Sequence, residues 1–314
     1  MLRYIVMRIL ATIPVMGIVA LFVFLMLRLA PGDPAAVIAG DYATAEDVAR
    51  IREQLGLSDP IVVQFLRWLG ALVQGDLGTS IFSNKPVSDL IAQRLEPTLL
   101  LALTTITFAV LVAVPLGTLA AFRAGSLIDR CVMLFSVGGF SIPVFVLGYI
   151  LIYTFSMTLK ILPVQGYKSP FTEGLGPFLL HITLPSVTLS VIFIALIARM
   201  TRASVIEVLE EDYIRTARAK GQSEWTILRR HALRNAAVPI VTVIGIGIAL
   251  LIGGVVVTES VFNIPGLGRL VLDAVLARDY PIIQGLILFF SFVYILINLL
   301  IDLSYTLFDP RIRY

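Results

Sequence analysis

Between two long apolar runs of this 314-residue chain stands a short polar segment, Asp212-Tyr213-Ile214-Arg215-Thr216-Ala217-Arg218-Ala219-Lys220-Gly221. The run before it covers Ile182–Ala198 and the run after it covers Pro239–Thr258, and neither contains a charged side chain. A helix that crosses a bilayer requires about 20 mostly apolar residues, so both runs are predicted to cross a membrane. The polar segment is therefore predicted to lie in a loop at one membrane face.

Four further uncharged runs have spanning length: Ile9–Leu27, Leu99–Phe122, Cys131–Leu159 and Ile282–Ile301. The chain is 58% hydrophobic and 14% charged, whereas soluble domains carry about 25% charged residues. The surplus of apolar side chains is predicted to face lipid. We expect an all-α membrane protein with six transmembrane helices and both termini on one side. The first run is longer than the apolar core of a secretory signal, about 7–15 residues, and is predicted to be retained.

The distribution of lysine and arginine predicts the orientation. Fourteen of these residues fall on one side of the six predicted spans: Arg3, Arg8, Arg123, Arg130, Arg199, Arg202, Arg215, Arg218, Lys220, Arg229, Arg230, Arg234, Arg311 and Arg313. The short loops on the other side carry four: Lys160, Lys168, Arg269 and Arg278. Cytoplasmic loops are enriched in basic residues, so the first side, with both termini, is predicted to be cytoplasmic. The basic excess needs no nucleic-acid partner.

The long segment after the first span is predicted to be extracytoplasmic and helical. Pro31-Gly32-Asp33-Pro34 ends the span, because proline removes a backbone donor and restricts the residue before it. Thr44 and Gly56 are predicted to bound one helix, and Pro60 to open another. An apolar stripe on this second helix is predicted to pack over the membrane helices or, alternatively, to dock an extracytoplasmic partner: Val62, Phe65, Leu66, Leu69 and Val73.

These boundaries divide the chain into four predicted parts. A first transmembrane helix covers residues 1–30 and the extracytoplasmic helical segment covers residues 31–97. A core transmembrane domain covers residues 98–308 and contains the cytoplasmic loop 200–238. A cytoplasmic tail covers residues 309–314.

The cytoplasmic loop is predicted to contain two short helices. Gly221 is suited to ending the first helix and Ser223 to capping the second. Trp225 is apolar among the arginines of the second helix. Composition alone leaves two interpretations open: a basic amphipathic loop on anionic headgroups, or a binding site for a protein partner.

The motifs of several chemistries are missing from the sequence. A phosphate-binding loop requires Gly-Lys followed by Ser or Thr, and no lysine here follows glycine. Ion-coupled carriers place ionisable groups at mid-membrane, whereas Arg28, Glu259 and Asp302 lie near span ends. No catalytic residue, metal ligand or cofactor site is predicted. Five small or polar residues inside the spans are candidates for a translocation pathway: Ser136, Ser141, Gln284, Ser291 and Asn298.

The loop also carries a family resemblance. The segment from Asp212 to Gly221, followed by His231-Ala232-Leu233-Arg234-Asn235-Ala236 and Pro239, resembles the cytoplasmic loop of ABC importer permeases, in the dipeptide, oligopeptide, glutathione and nickel branch. Four other stretches agree with that branch: Pro31-Gly32-Asp33-Pro34, Gly75-Asp76-Leu77-Gly78, Phe262-Asn263-Ile264-Pro265-Gly266-Leu267-Gly268 and Asp309-Pro310-Arg311-Ile312-Arg313-Tyr314. The broad consensus reads Glu-Ala-Ala, three residues, then Gly. Here Arg215 stands at its first position, and Glu210, Glu211 and Asp212 are candidates for the missing charge.

The resemblance implies a type I ABC importer permease fold and an alternating-access mechanism. It implies a second, homologous permease chain, two cytoplasmic ATPase subunits that hold ATP and magnesium, and a periplasmic substrate-binding protein. Ile214, Ala217 and Trp225 are expected to pack in a groove of the ATPase. The residues that the resemblance assigns to ATPase coupling are Glu211, Asp212, Tyr213, Arg215, Thr216, Ala217, Lys220, Gly221 and Trp225.

The solute stays open at this point. A small peptide is the first expectation, a glutathione-like tripeptide the second, and nickel or another small solute the third. Two other classes of function compete with an importer subunit. A stand-alone carrier or channel is disfavoured by the missing mid-span charges, and a membrane scaffold by the specific loop motif.

Overall fold

The computed structural model describes residues 2–29, 35–36, 44–54 and 57–308, and these residues are almost entirely helical. Extended pairing within them is limited to one bridge between Thr79 and Pro86. Two stretches, Ile152–Thr158 and Ile227–Ala232, are π-helical. The helices are α1 Leu2–Leu29, α2 Ala45–Gln54, α3 Ile61–Val73, α4 Val87–Phe122, α5 Leu127–Ser141, α6 Val144–Thr158, α7 Leu175–Leu209, α8 Asp212–Ala219, α9 Glu224–Asn235, α10 Ala237–Val261, α11 Leu267–Ala277 and α12 Tyr280–Phe308.

Within the described residues, three helices are long and apolar enough to cross a membrane by themselves: α4, α7 and α12. Two bent pairs, α5 with α6 and α9 with α10, raise the number to five if each pair is one span. The remaining predicted span corresponds to α1, whose apolar part, Leu10–Met26, is shorter. The all-helical membrane class predicted from the sequence is confirmed.

The third predicted span is not one straight helix. Its two halves, α5 and α6, meet at an angle of 104°. Pro143 stands immediately before α6, and Ile142 before it adopts an extended conformation with φ −90° and ψ 121°. Proline disfavours the helical conformation of the preceding residue, so α5 ends at Ser141. Pro115, by contrast, lies inside the continuous α4.

The described residues group into two compact units, Met1–Leu95 with Leu270–Ile295, and Glu96–Arg269 with Leu296–Tyr314. In the first unit, α3 packs on α1 and α12 through a cluster that contains Val23, Trp68 and Leu288. The Phe24 ring lies 5.1 Å from Phe65 and 5.6 Å from Trp68, centroid to centroid.

The predicted bounds of this outer segment hold only in part. Helix α2 begins directly after Thr44, and α3 follows Pro60, as predicted. The predicted packing stripe is wrong for Val62, Leu66 and Val73, which are exposed, because α3 turns its aromatic face toward α1. Gly56 and the turn predicted at residues 31–34 lie outside the described residues.

The second unit is built around α7. Its side chains Phe193, Ile194 and Ile197 are nearly inaccessible and form one apolar cluster with residues of α4, α6 and α10. This helix has 35 residues and continues well past the predicted span end at Ala198. Because lipid tails are as apolar as these side chains, the cluster stabilises the unit through close packing between the helices.

The loop between α6 and α7 is anchored by polar contacts. The Tyr167 hydroxyl donates to Glu96 Oε1 over 2.7 Å, and the Gly166 amide donates to the Phe262 carbonyl over 2.9 Å. The Tyr167 ring also meets Phe178 edge-on, 6.3 Å between centroids. Burial, and secondarily the Glu96 carboxylate, raise the pKa of Tyr167.

We expect Tyr167→Phe to lower the stability of the solubilised protein by about 1 kcal/mol, because the Glu96 carboxylate loses a hydroxyl donor. The stabilisation from Tyr167 is fully present below the pKa of an unfolded tyrosine, about 10, and is lost as the pH rises above it. Thermal unfolding of both proteins from about pH 8 to about pH 11 should therefore show the two melting curves converging. A constant difference across that range contradicts this account.

Candidate functional site

Helices α8 and α9 form a hairpin, here called the α8–α9 hairpin, that follows the end of α7. Gly221 has φ +79°, a backbone conformation that side chains with a Cβ rarely adopt. Its amide donates to the Arg218 carbonyl over 2.9 Å, and the Gln222 amide donates to the Ala217 carbonyl over 3.2 Å. Ser223 Oγ then accepts from the Thr226 amide over 3.3 Å and caps α9. The predicted glycine end and serine cap are both confirmed.

The hairpin has its own small apolar interior. Ile214 and Ile227 are fully buried, and Ala217 is nearly so. Leu209 at the end of α7 packs against this cluster. This placement differs from the expectation that Ile214 and Ala217 contact a partner, because the apolar face of α8 packs against α9. Their role is to hold the two helices at a fixed angle.

An ion pair closes the turn on its outer side. The Arg218 guanidinium contacts the Glu224 carboxylate with two hydrogen bonds, of 2.8 and 3.2 Å. Hydrogen bonding to Glu224 raises the pKa of Arg218. Both side chains are more than two-fifths exposed, so solvent screening limits the stability that this pair contributes. Its two-pronged geometry fixes the direction of α9 relative to α8.

The remaining face of α8 is exposed and polar. Arg215 lies 3.2 Å from Asp212, and the Tyr213 hydroxyl accepts from the Asn235 amide over 2.7 Å. The other predicted coupling residues on this surface are also exposed: Glu211, Thr216, Lys220 and Gly221. The hairpin as a whole, residues 211–235, carries six basic and three acidic residues. The structure therefore brings eight of the nine predicted coupling residues together on α8 and its turn.

A second apolar cluster fastens the hairpin to the membrane helices. Leu228 and Ala232 of α9 pack with Val205 of α7, Ala121 of α4 and Ile240 of α10. Each of these side chains is at least nine-tenths buried. Burial of this kind makes the hairpin and the lower part of α7 one packed body, so a force on the hairpin acts on α7.

Trp225, the ninth predicted coupling residue, occupies a different place. Its side chain is 69% exposed and lines a groove of about 710 Å³ between α9 and the end of α4. A second cavity of about 430 Å³ continues along α9 and is lined by Trp225, Thr226 and three arginines, Arg229, Arg230 and Arg234. Trp225 thus faces α4 and does not extend the surface of α8.

The five pathway candidates are not grouped at one site. The Ser136 hydroxyl is buried and donates to the Val132 carbonyl of its own helix over 2.9 Å. Ser141 is exposed, although its hydroxyl donates in the same way to Val137. Gln284 is buried and donates to the Val23 carbonyl over 3.1 Å. Ser291 and Asn298 are half-buried in α12. Neither cavity beside α9 is lined by any of these five residues, and their role as pathway residues stays a prediction.

Three carboxylates among the described residues are buried, Asp129, Glu259 and Asp279, and the sequence analysis predicted the partners of none of them. Asp129 at the start of α5 is 4% exposed and forms two hydrogen bonds to the Arg202 guanidinium of α7, one of them 2.7 Å long to Nη2. Its Oδ2 also accepts from the Gly125 amide over 2.8 Å. The partners are 73 positions apart in the sequence, and no local spacing indicates such a pair.

Glu259 near the end of α10 is the second. It has no exposed surface. Its Oε1 accepts from the Thr98 hydroxyl over 2.6 Å, and its Oε2 accepts from the Arg269 amide over 2.9 Å. The Thr98 hydroxyl accepts in turn from the Leu267 amide over 2.7 Å. These amides belong to the first turn of α11, where backbone donors lack helical partners, so Glu259 acts as a remote cap.

Two glycines leave room for this carboxylate. A Cβ at Gly266 would overlap the Glu259 carboxyl group, and a Cβ at Gly268 would lie 2.6 Å from Val256 Cα. The glycines that the sequence shares with the importer branch are thus explained by close packing. In the sequence, this pair of glycines is the feature that could have indicated the Glu259 site.

Several apolar helices long enough to cross a bilayer, with a polar hairpin docked on one of them, define a polytopic membrane protein. The chain belongs to the family of binding-protein-dependent transport system inner membrane components: residues 113–314 match the family model and residues 1–102 match that of its N-terminal part. It is a transport subunit, and the predicted family is confirmed.

Similar proteins match this chain over its full length. The chain is 57% identical over 311 residues to a probable peptide ABC transporter permease protein, y4tP, of Sinorhizobium fredii, which covers 99% of both chains. It is 46% identical over 314 residues to the glutathione transport system permease protein GsiC of Escherichia coli strain K12, covering 100% of both.

A solved structure supports the fold. The chain resembles a chain of the MetNI methionine ABC transporter in an inward-facing conformation, with a TM-score of 0.57 and 19% identity, covering 70% of this chain and 96% of that one. The likeness shows the type I ABC importer permease fold predicted from the sequence.

Proposed function

We propose that this chain is one half of the membrane channel of an ATP-driven importer of small peptides. The α8–α9 hairpin carries the proposal: its apolar side chains are used internally and on α7, whereas its polar α8 face is left exposed. A helix that is held rigidly at both ends and carries charged residues on its exposed side is suited to binding a soluble subunit. The basic residues on this side of the spans support a cytoplasmic location for the hairpin and both termini.

The partners follow from that assignment. Two ATPase subunits bind ATP and magnesium beneath the membrane, one on each permease chain, and this chain contributes no residue to hydrolysis. The second permease is a related but different chain. A periplasmic binding protein delivers the solute to the outer mouth, where residues 31–97 form the extracytoplasmic segment. The core domain, residues 98–308, carries the loop 200–238.

The solute class rests on the similar proteins. The two relatives described above are named for peptide and for glutathione transport, and glutathione is itself a tripeptide. A short peptide is therefore the first proposal and a glutathione-like tripeptide the second. Nickel or another small solute on the same architecture is the remaining alternative.

The mechanism follows from the packing of the hairpin. When ATP draws the two ATPase subunits together, each α8 is displaced with the subunit that holds it. The buried contacts of Leu228 and Ala232 with Val205 pass this displacement to α7. The membrane helices then exchange an inward-facing arrangement for an outward-facing one. The chain supplies binding and conformational change, and no covalent step.

Charge reversal on α8 tests the proposal. We expect Arg215→Glu and Lys220→Glu to leave the melting temperature unchanged, because both side chains are exposed. Each should reduce co-purification of the ATPase subunits and ATP-driven peptide uptake by more than tenfold, since like-charge contacts across an interface cost several kcal/mol. Uptake into vesicles that contain the complete complex and the binding protein gives the measurement.

Lys85→Glu is the matched control, because Lys85 is an exposed lysine of the outer segment. It should leave co-purification of the ATPase subunits unchanged. Normal ATPase binding and uptake in both α8 variants would overturn the proposed coupling surface. Uptake by this chain alone, without ATP, would show a stand-alone carrier instead.

A further inference from the structure

The groove between α9 and the end of α4 is apolar along its walls. Its α4 side is formed by Val114, Pro115, Thr118, Leu119 and Phe122, and its α9 side by Trp225, Leu228 and Leu233. Leu119, Phe122 and Trp225 expose more than two-fifths of their surface. A protein surface that faces water normally keeps large apolar side chains covered. The groove is therefore suited to an apolar occupant.

The charges at this groove all have one sign. Arg123 ends the α4 wall and Arg229 lies on the α9 wall. Arg230 and Arg234 follow in the adjoining cavity. Among the residues that the structure describes, no acidic side chain lines either cavity. An occupant with an apolar body and an anionic end matches this arrangement.

The groove lies at the level of the membrane surface, where the apolar part of α4 ends. The apolar run of α4 ends at Phe122, directly before Arg123. Helix α9 meets the apolar α10 at 57°, so α9 leaves the direction of the span that follows it. An exposed tryptophan at this level is typical of the headgroup region, where its ring is apolar and its N–H polar.

We propose that this groove binds one anionic phospholipid of the surrounding leaflet. An acyl chain lies along Val114, Thr118 and Leu119, and the headgroup phosphate lies between the Arg123 and Arg229 guanidinium groups. The volume, about 710 Å³, is within the range of ligand pockets, about 300–1,000 Å³. Basic pockets beside membrane helices recognise anionic headgroups in this way. The leaflet is cytoplasmic under the orientation proposed above.

A lipid here would act on the hairpin. Leu228 lines the groove and also belongs to the cluster that fastens the hairpin to α7. A lipid in the groove therefore supports the packing of the α8–α9 hairpin on α7 from the side that faces lipid. The site is separate from the exposed face of α8, so lipid and an ATPase subunit can be bound together.

The two tryptophans of the chain, Trp68 and Trp225, allow a direct measurement. Trp68→Phe keeps an aromatic ring against Phe24 and leaves Trp225 as the single tryptophan. The full-length variant is placed in phosphatidylcholine vesicles that contain increasing amounts of brominated phosphatidylglycerol or, in a parallel series, brominated phosphatidylcholine. Bromine quenches tryptophan on contact, so the two series give the relative affinity of the groove for the two lipids.

We expect Trp225 to prefer phosphatidylglycerol by about 25-fold, because each arginine near a net-anionic headgroup contributes about 1 kcal/mol, or fivefold, relative to phosphatidylcholine, whose choline cation offsets its phosphate. Changing both Arg123 and Arg229 to Gln should abolish the preference, whereas changing both to Lys should keep most of it. Arg130→Gln is the control, because Arg130 is an exposed arginine that lines neither cavity. Soluble glycerol phosphate should not compete, because it has no acyl chain.

Equal quenching by the two lipids overturns the proposal, as does a preference that survives the double Gln variant. Protection of Trp225 by added ATPase subunits would assign the groove to a protein partner and would equally overturn it. Competition by glycerol phosphate would show a site for free phosphate. The assay contains no transport step, so failure of the proposed import function leaves its result unaffected.

Discussion

Gly266→Ala is expected to lower the melting temperature of the solubilised protein more than any other substitution discussed here. The added methyl would overlap the buried Glu259 carboxyl group, and the carboxylate could move only by giving up the Thr98 hydroxyl or the Arg269 amide. Overpacking costs about 1–3 kcal/mol, and each buried polar group left unpaired costs about 1–3 kcal/mol more. We therefore expect a loss of about 3–5 kcal/mol, a large fraction of the stability of an ordinary domain.

Two further variants separate this cause from a general effect of the substitution. Gly176→Ala places the same methyl in the first turn of α7, where nothing lies within 4 Å, and should leave the melting temperature nearly unchanged. Adding Glu259→Ala to Gly266→Ala removes the overlap and should recover part of the loss. A Gly266→Ala protein that melts like the wild type would falsify the proposed packing of Glu259.

Asp129→Asn should cause the second-largest loss of stability, about 2–3 kcal/mol. The change keeps the shape of the side chain but leaves the Arg202 guanidinium without its carboxylate. Removing one partner of a buried pair typically costs about 3–5 kcal/mol, and we expect less because the Arg202 side chain is 27% exposed. Thermal or denaturant unfolding of the purified protein measures the difference.

The pair of Arg94 and Asp273 provides the matched control. These groups are 3.8 Å apart and their side chains are 30% and 52% exposed, so Asp273→Asn should cost no more than about 0.5 kcal/mol. Changing Asp129 to Asn and Arg202 to Gln together should destabilise less than Asp129→Asn alone, because no unpaired charge is left. Equal losses for Asp129→Asn and Asp273→Asn would contradict the assignment.

Local signals in the sequence predicted most of the helices. The ends of α8 and α9 were found from Gly221 and Ser223 because a positive φ and a capping hydroxyl depend on neighbouring residues alone. The 104° angle between α5 and α6 was out of reach, because the packing of each half against α7 and α10 sets it.

The buried polar contacts were the main omission. Glu259 was identified only as a charge near a span end, because its partners, Thr98 and Arg269, come from separate helices. Ile214 and Ala217 were expected to contact a partner because their apolar character was visible and the position of Ile227 was not. A helix of eight residues has one apolar face, and the nearest apolar surface in the chain covers it first.

Helix α7 connects two apolar clusters of the second unit: Ile194 belongs to its central cluster, and Val205 to the cluster beneath the hairpin. No proline or glycine interrupts the stretch between them, so under the proposed coupling a displacement of the hairpin would reach the central cluster through one continuous helix. The part of α7 that follows Pro185, residues 186–209, is about 36 Å long. Tilting it by about 5° about one end moves the other end by about 3 Å, so a small rotation of this helix becomes an opening of molecular size.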